Sequence, residues 1–256
     1  MAAATAPSSA SSEGKMADQK QSKDRRYKGV YSRSFLSRVY DHYVLGFNMN
    51  YIWGCSTKKV LLPFFSDNFT QQHMDIGVAT GWFPAAVLSR PIRNHEKHQL
   101  TLVDFNETSL NATKARVLAT APDTVVNVAQ ADITAPLPDS LQSGVGTYKS
   151  ITMFNLFHCV PGGPEKLKAF STYKELLSDD GVLAGCTVLG HKHARNFVSK
   201  MYMKYYNKID LFNNWDDERE AIEKALEEEF EDVVTEVVGM ILLFKASKPR
   251  RSGKMV

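Results

Sequence analysis

The sequence predicts an α/β fold in which a mostly parallel sheet carries helices on both faces. Apolar segments of strand length alternate with helical segments from residue 73 onward, and a glycine-containing turn follows the first strand. The chain then ends in two strands that meet at Gly239. Strands separated by helices form parallel sheets, whereas strands joined by a tight turn are antiparallel. We therefore expect a seven-stranded doubly wound sheet with one antiparallel strand.

Charge and composition divide the chain of 256 residues into a polar tail and one elaborated domain. Residues 1–28 have almost no apolar side chains larger than alanine, so we expect a disordered tail. This tail holds six basic and three acidic residues, which leaves 25 of each sign in the remainder. A nucleic-acid groove needs a basic face on the fold itself, so the neutral remainder argues against a nucleic-acid partner.

The sequence also predicts a cytosolic protein without a membrane partner. It has no run of apolar residues long enough to cross a bilayer, and its N-terminus lacks the apolar core of a secretory signal. Cys55, Cys159 and Cys186 are scattered and lack metal-ligand spacing. We therefore expect free thiols in a reducing compartment and no metal site.

Residues 29–72 predict a helical cap in front of the sheet. A helix that Gly46 ends is indicated by apolar residues on one stripe, namely Phe35, Leu36, Val39, Tyr40 and Tyr43. An aromatic loop with Phe47, Tyr51 and Trp53 should follow, and then a short helix over residues 60–65. The cap either covers the sheet edge or also serves as a lid over the site, with Tyr40, Trp53 and Trp82 as candidates to close over a ligand.

Residues 73–84, His-Met-Asp-Ile-Gly-Val-Ala-Thr-Gly-Trp-Phe-Pro, predict a strand, a tight turn and the start of a helix. Gly77 and Gly81 permit a sharp turn and a close approach of a ligand to the backbone. Pro84 fits the first turn of the helix. A turn of this kind offers free N–H groups and a positive helix end to a ligand.

Four polar residues fall near the ends of predicted strands, Asp75 on the first strand and three on those that follow it. The strands are expected at 99–104, 124–132, 148–155 and 181–189, with helices at 85–90, 107–119 and 165–177. Asp75, Asp104, Asp132 and Asn155 then lie at the carboxyl edge of the sheet, where ligands bind in doubly wound folds. Polar residues can also simply terminate strands, but four in register favour a binding site.

The C-terminal part predicts a helical insertion over about residues 191–215, with Phe197, Met201 and Tyr205 at helical spacing. Asn214 should cap a second helix that opens with acidic residues and turns Ile222, Leu226 and Phe230 inward. Strands over residues 231–239 and 240–247 complete the domain. Residues 249–256 are expected to form a frayed tail.

The loop Asp75-x-Gly77-x-x-x-Gly81, together with the strand-end acids, resembles class I S-adenosylmethionine-dependent methyltransferases. Their loop is written Glu/Asp-x-Gly-x-Gly-x-Gly, so Ala79 replaces the usual middle glycine. The resemblance implies a Rossmann-like seven-stranded domain over residues 73–248. The aromatic segment before it looks like that of fungal small-molecule methyltransferases of secondary metabolism.

The resemblance also implies S-adenosylmethionine as the cofactor and assigns residues to it. Asp104 would accept the ribose hydroxyls, Phe105 would lie against the adenine, and Asp132 with the Ile133 N–H would bind the adenine edge. Asp75 would anchor the ammonium of the methionine end. The complete predicted cofactor set is Tyr40, Trp53, Asp75, Gly77, Val78, Ala79, Thr80, Gly81, Asp104, Phe105, Asn106, Asp132, Ile133 and Asn155.

The expected chemistry is in-line transfer of a methyl group, which depends mainly on holding donor and acceptor close and aligned. A phenol or alcohol acceptor must lose a proton, and His158 after the fourth strand is the candidate general base, although a histidine at this place is often merely structural. His42, His191 and His193 are weaker candidates. The cap and insertion are aromatic and lack a basic cluster, so we expect a flat apolar small molecule and O-methylation first, with N-, C- or S-methylation open.

Three other functions fit parts of the sequence. The fold could bind the cofactor and perform another reaction such as a cyclisation. A nicotinamide dehydrogenase would need a Gly-x-Gly-x-x-Gly loop, which the sequence lacks. A non-catalytic scaffold could dock through the acidic segment 216–231, but a solvated helix face explains those charges more simply. The sequence does not indicate the oligomeric state of the protein.

Overall fold

The computed structural model describes residues 36–93 and 96–251, with side chains from Asp41 onward. The predicted N-terminal tail, the side chain of Tyr40 and residues 252–256 lie outside the described part. Within it, no helix has both the length and the apolar character to cross a bilayer.

Seven strands form one sheet in the order β3-β2-β1-β4-β5-β7-β6. Strands β1 to β5 run parallel, and β7 is antiparallel to both of its neighbours, β5 and β6. This confirms the predicted seven-stranded sheet with one antiparallel strand. The strand bounds are β1 Gln72–Ile76, β2 Gln99–Asp104, β3 Val125–Gln130, β4 Tyr148–Phe154, β5 Leu177–Val188, β6 Phe230–Val238 and β7 Ile241–Pro249.

Helices precede the sheet and connect its strands, as the alternating sequence pattern predicts. Before β1 lie α1 Leu36–Ile52, which is of the wide π type, α2 Thr57–Leu61 and α3 Leu62–Asp67. The connecting helices are α4 Trp82–Leu88, α5 Glu107–Thr120, α6 Asp139–Gln142, α7 Ala169–Lys174, α8 Phe197–Lys208 and α9 Arg219–Glu229. Short 3₁₀ segments cover Pro91–Arg93, Phe157–Cys159, Gly163–Lys168 and His191–His193.

Helix α1 continues through Gly46, so the prediction that Gly46 ends it and that an aromatic loop follows is wrong. The rings of Tyr43, Phe47 and Tyr51 continue the helical spacing, with centroids 6.0 and 5.4 Å apart. A helix usually ends at a glycine in the left-handed conformation. Gly54 at φ 73° takes that conformation just beyond α1, and Gly46 does not.

Asn214 does not cap a helix, because α9 begins only at Arg219. The side chain of Asn214 is fully buried and donates to the Val188 carbonyl at 2.8 Å. It also accepts from the Asn207 amide at 3.1 Å. A tertiary contact has therefore replaced the local cap that the sequence suggested. The inward direction of Ile222, Leu226 and Phe230 is confirmed, since all three are buried.

The C-terminal tail begins later than residue 249. Strand β7 includes Pro249, and the backbone N–H of Arg250 donates to the Glu229 carbonyl at 2.8 Å. The Arg251 guanidinium donates to the Lys174 carbonyl at 2.9 Å. The Arg250 backbone and the Arg251 side chain thus find carbonyl acceptors on α9 and α7, which a purely compositional prediction cannot anticipate.

Two apolar layers cover the sheet, one on each face. The layer beneath α1 to α5 contains a cluster of rings around Phe65, whose centroid lies 5.2 Å from Phe83 and 4.9 Å from Phe154. The opposite layer includes Phe157, which packs 4.8 Å from Phe170. The carboxyl ends of the parallel strands meet at one edge between these layers, and this edge positions the site.

Candidate active site

The turn between β1 and α4 has the conformation of a three-glycine loop. Gly77, Ala79 and Gly81 all have positive φ, at 77°, 47° and 68°. Ala79 therefore occupies the left-handed region despite its methyl group, at a cost of about 1–2 kcal/mol. The N–H of Gly77 donates to the Val103 carbonyl at 2.8 Å, and that of Gly81 donates to the Val78 carbonyl at 2.8 Å. The turn is thus tied to the end of β2.

Close packing also requires glycine at both ends of this turn. A Cβ at Gly77 would lie 2.7 Å from Cδ1 of Leu156, and one at Gly81 would lie 2.6 Å from Cγ2 of Thr113. Helix α4 begins at Trp82, directly after the turn. Its first N–H groups therefore belong to the same edge as the turn.

Asp104 lies at the end of β2, beside this turn, and is half-buried. Its carboxylate accepts the Asn106 N–H at 2.8 Å, and the N–H groups of Val78 and Ala79 also face it. Burial raises the pKa of Asp104 to about 6, while these backbone donors oppose the increase. A carboxylate at the mouth of the turn therefore retains acceptor capacity for hydroxyl groups of a ligand.

Asp75, at the end of β1, is more deeply buried, with 4% of its surface exposed. The Thr152 hydroxyl donates to its carboxylate at 2.7 Å. Burial raises the pKa of Asp75 to about 7, and the nearby Asp104 adds to the increase. The two acids thus share one edge, but Asp75 lies further inside.

The residues that follow β2 and β3 form a more open part of the edge. Asp132 is exposed, and one of its oxygens accepts both the N–H and the hydroxyl of Thr134, at 2.9 and 2.7 Å. Phe105 exposes 44% of its surface, whereas Ile133 exposes only 7%. An exposed aromatic face and an accessible carboxylate are the groups that a planar heterocycle with an amino substituent needs.

The structure brings Asn155 to the same edge, at the end of β4. Its φ is 54°, its N–H donates to the Cys186 carbonyl at 2.8 Å, and its side-chain oxygen accepts from the Cys186 thiol at 3.5 Å. A left-handed asparagine is uncommon and turns the chain sharply after the strand.

Two predicted cofactor residues make local contacts with their side chains instead. The Asn106 side chain caps α5 by accepting the Thr108 N–H at 2.8 Å. The Thr80 hydroxyl donates to Asp41 of α1 at 2.7 Å, and Asp41 pairs with Arg116 at 2.7 Å. These side chains hold the cap and α5 around the turn.

Trp53 is a core residue and not a residue of an open site. It exposes 1% of its surface and packs between Tyr206 at 6.1 Å and Phe212 at 5.7 Å. The expectation that it closes over the cofactor is therefore not supported by its position. Its burial follows from the chain segment after α8, whose contact with the cap is not visible in the sequence.

His158 is buried, and its hydrogen bonds do not suit a general base. It exposes 4% of its surface, and its Nδ1 accepts the Val188 N–H at 3.3 Å, so the proton of the neutral ring lies on Nε2. Burial lowers the pKa of His158 to about 3. With its lone pair engaged and its basicity reduced, the ring acts as a wall against Phe212, 4.4 Å away.

The segment that covers this wall belongs to the predicted insertion, but its contacts with His158 and Cys159 were not predicted from the sequence. Asn213 donates its N–H to the His158 carbonyl at 2.7 Å and its amide to the Cys159 carbonyl at 3.3 Å. Lys166 is buried and pairs with Asp217 at 2.6 Å. The only signal for such contacts was a polar cluster at residues 213–218 after an aromatic helix. Among the described residues, no group of His, Cys, Asp and Glu has a metal-binding arrangement.

Comparisons with known proteins decide the family. No protein-family model matches the chain. It is 52% identical over 254 residues to the O-methyltransferase NEC2 of Pyricularia oryzae, covering 91% of this chain and 96% of that protein. It is 39% identical to the methyltransferase aurB of Calcarisporium arbuscula, covering 82% and 92%. The chain belongs to this family of methyltransferases.

Solved structures agree on the fold. The N-methyltransferase NodS of Bradyrhizobium japonicum, in complex with S-adenosylhomocysteine, matches with a TM-score of 0.52 at 13% identity, covering 75% of this chain and 85% of that one. An O-methyltransferase family protein from Burkholderia thailandensis matches with a TM-score of 0.56 at 13% identity, covering 73% and 55%. This methyltransferase therefore has the class I fold. Its membership of the methyltransferase family indicates S-adenosylmethionine, the cofactor that the sequence predicts.

The residues at the sheet edge fit that cofactor. It carries a vicinal diol, an adenine ring and an ammonium group. The half-buried Asp104, the exposed Phe105 with Asp132, and the buried Asp75 offer a partner of suitable chemistry to each in turn.

Proposed function

We propose that this methyltransferase transfers a methyl group to a hydroxyl oxygen of a flat, apolar small molecule. The observation that carries the proposal is the 52% identity to a protein named O-methyltransferase over nearly the full length of both chains. The aromatic character of the cap and of the segment after β5 supports an apolar acceptor. A cytosolic location belongs to the same proposal.

Four groups of this chain hold the cofactor in the proposed arrangement. Asp104 accepts both ribose hydroxyls, since a carboxylate has two oxygens for a diol. Phe105 lies against the adenine, and Asp132 with the Ile133 N–H binds its edge. Asp75 accepts from the ammonium group, and Asn155 lies beside the methionine portion. The backbone from Gly77 to Gly81, including Val78, Ala79 and Thr80, passes beneath the cofactor.

When bound, S-adenosylmethionine supplies a methyl group on a positively charged sulfur, which an acceptor oxygen can attack in line. The protein contributes chiefly by holding the two partners close and aligned. Charge decreases as the methyl group moves, so no residue has to stabilise a new charge on the donor. The covering segment with Asn213 and the cap restrict the access of water.

The cap, α1 to α3, acts as a lid in this proposal. The Thr80–Asp41 hydrogen bond at 2.7 Å joins it to the cofactor turn, so cap and turn can respond together to binding. Phe212 and the neutral ring of His158 form an apolar wall for the acceptor. His158 does not take the acceptor's proton, because its Nδ1 accepts the Val188 N–H and burial lowers its pKa to about 3. The acceptor instead loses its proton to solvent as it binds, and its phenolate oxygen takes the methyl group while the sulfur of the cofactor keeps the bonding electron pair.

The test is an assay with methyl-labelled S-adenosylmethionine and a panel of polyketide phenols. Each phenol is paired with its methyl ether, in which the hydroxyl is already blocked. We expect label in the phenol samples only, and mass spectrometry should locate one added methyl on oxygen. Label in both members of a pair would indicate methylation at carbon or nitrogen and would contradict O-methylation.

The same assay addresses the alternative function. A protein that binds the cofactor but catalyses a cyclisation would consume the substrate without transferring label. An unlabelled product of unchanged mass would therefore refute the proposed methyl transfer.

A further inference from the structure

A chain of five buried or half-buried polar side chains runs from the carboxyl edge of the sheet into its interior. The Asp75 carboxylate contacts Thr152 at 2.7 Å, and Thr152 contacts His73 Nε2 at 2.9 Å. His73 Nδ1 contacts Ser150 at 2.7 Å, and Ser150 contacts Thr70 at 2.7 Å. Asp75 and His73 lie on β1, directly opposite Thr152 and Ser150 on β4. The register of β1 with β4 therefore brings the side chains of this polar chain together.

The direction of each hydrogen bond in this chain is fixed by counting protons. Thr152 has one hydroxyl proton and donates it to Asp75, so it can only accept from His73 Nε2–H. Nδ1 of a neutral ring must then accept the proton of the Ser150 hydroxyl. Ser150 in turn accepts the Thr70 N–H at 3.1 Å. With Asp75 ionised, the donors from the Thr70 N–H through Ser150, His73 and Thr152 thus all point toward its carboxylate.

Burial keeps His73 in the neutral form that this direction requires. Its pKa is lowered to about 3, chiefly by burial, and the neighbouring ionisable side chains of His98 and Arg93 add to the effect. His73 is fully buried, and its ring packs 4.3 Å from Phe69. The neutral ring therefore donates from Nε2 to Thr152 and accepts at Nδ1 from Ser150.

We propose that His73 and Thr152 are positioning residues that hold Asp75 as a hydrogen-bond acceptor for the ammonium group of the cofactor. This inference deepens the proposed function and rests on it. Neither residue touches the cofactor; both act through Asp75. A protonated Asp75 would lose its negative charge and use one oxygen as a donor, which cannot pair with the ammonium group. The polar chain therefore favours the ionised form, which binds the ammonium group more strongly.

Asp75 needs this support because its surroundings favour the protonated form. Burial raises its pKa to about 7, Asp104 raises it further, and the Thr152 hydroxyl lowers it. Asp104 is the ionisable neighbour on β2, and His73 is the one on its own strand. Affinity for the cofactor should therefore fall as the pH decreases through about 7 and Asp75 takes up a proton.

The fall in cofactor affinity at low pH is the acid limb of the binding profile. Removing the Thr152 hydroxyl should move this acid limb to higher pH. In Thr152→Val the ionised Asp75 loses its donor while the shape of the side chain is kept, so its pKa rises by about one unit. Affinity near pH 7 should fall by about fivefold, the fall should approach about tenfold near pH 6, and affinity should approach that of the native protein near pH 9. Thr152→Ser should restore the native profile. His73→Leu should shift the limb in the same direction but less, because Thr152 can then rotate.

The experiment is calorimetric titration of the three variants and the native protein with S-adenosylmethionine between about pH 6 and pH 9. Methylthioadenosine, which keeps the adenosine but lacks the amino-acid portion, is the control ligand. It should bind all four proteins alike, which also shows that the variants are folded. The expected result is a shifted acid limb for Thr152→Val and His73→Leu with S-adenosylmethionine only.

Two results would overturn the inference, and they can be told apart. If the native protein binds S-adenosylmethionine but Thr152→Val and His73→Leu show an unshifted acid limb, the two residues are merely structural and only this inference fails. The same holds if affinity falls by one factor at every pH. If the native protein binds no S-adenosylmethionine at any pH, the proposed function fails and the inference fails with it.

Discussion

The proposed cofactor half of the molecule and the proposed acceptor half are built in different ways. The cofactor half, β1 to β4 with the turn after β1, depends on backbone conformations and on carboxylates at strand ends. The acceptor half, the cap with residues 191–217, depends on contacts between distant segments, such as Trp53 with Phe212 and Lys166 with Asp217. Single substitutions in the two halves should therefore destabilise the protein for different reasons. The cause should be backbone strain in the first half and lost pairing between side chains in the second.

The largest effect on stability is expected in the acceptor half. Lys166→Met leaves the buried Asp217 without its partner, so the free energy of unfolding should decrease by about 3–5 kcal/mol. Chemical denaturation measures this directly. Lys168→Met is the matched control, because Lys168 lies two residues away and pairs with Glu165 on the surface. That variant should remain close to the native protein. Equal decreases in the free energy of unfolding in both variants would show that the buried ion pair stabilises the protein no more than the surface pair does.

A smaller loss is expected for Gly77→Ala in the cofactor half. The new Cβ would meet Leu156 at 2.7 Å and would also occupy a residue with φ 77°. Together these should cost about 2–4 kcal/mol. Gly146→Ala isolates the conformational part, because Gly146 has φ 70° but no atom within 4 Å of the added Cβ. It should cost about 1 kcal/mol. If the two variants unfold at the same denaturant concentration, close packing does not restrict the turn.

The smallest effects on stability should have opposite signs when two alanines, Ala79 and Ala86, are each replaced by glycine. Ala79→Gly relieves the left-handed strain at φ 47° and should stabilise the protein by less than about 1 kcal/mol, because the unfolded chain gains freedom. Ala86→Gly, in the middle of α4, should destabilise it by about 1 kcal/mol. Thermal unfolding of both variants checks the comparison. Destabilisation by Ala79→Gly would mean that the methyl group makes favourable contacts in the turn.

The same contrast explains what could be predicted from the sequence. The turn at Gly77, the strand-end acids and the antiparallel closing strand are local patterns with short spacings, and the structure contains each of them. Even the substituted Ala79 keeps the conformation of the glycine that it replaces. Local backbone requirements are therefore visible in a single sequence.

Contacts across long separations could not be predicted in this way. His158 looked like a base because of its position after β4, but its partner Val188 and its neighbour Phe212 are far away in the sequence. Asn214 looked like a helix cap until its contact with Val188 was known. The polar chain through His73 had a signal, namely a histidine and a threonine inside apolar strands. Its meaning depended on the register of β1 with β4.

Calorimetric titration with S-adenosylmethionine and, separately, with NADH tests the central claim most directly. The native protein should bind S-adenosylmethionine and not NADH. Asp104→Ala should weaken binding by at least about tenfold, which corresponds to about 1.4 kcal/mol, because the ribose hydroxyls lose their acceptor. Asp123→Ala, at an exposed turn before β3, should bind like the native protein. Undiminished binding by Asp104→Ala, or binding of NADH alone, would contradict the account.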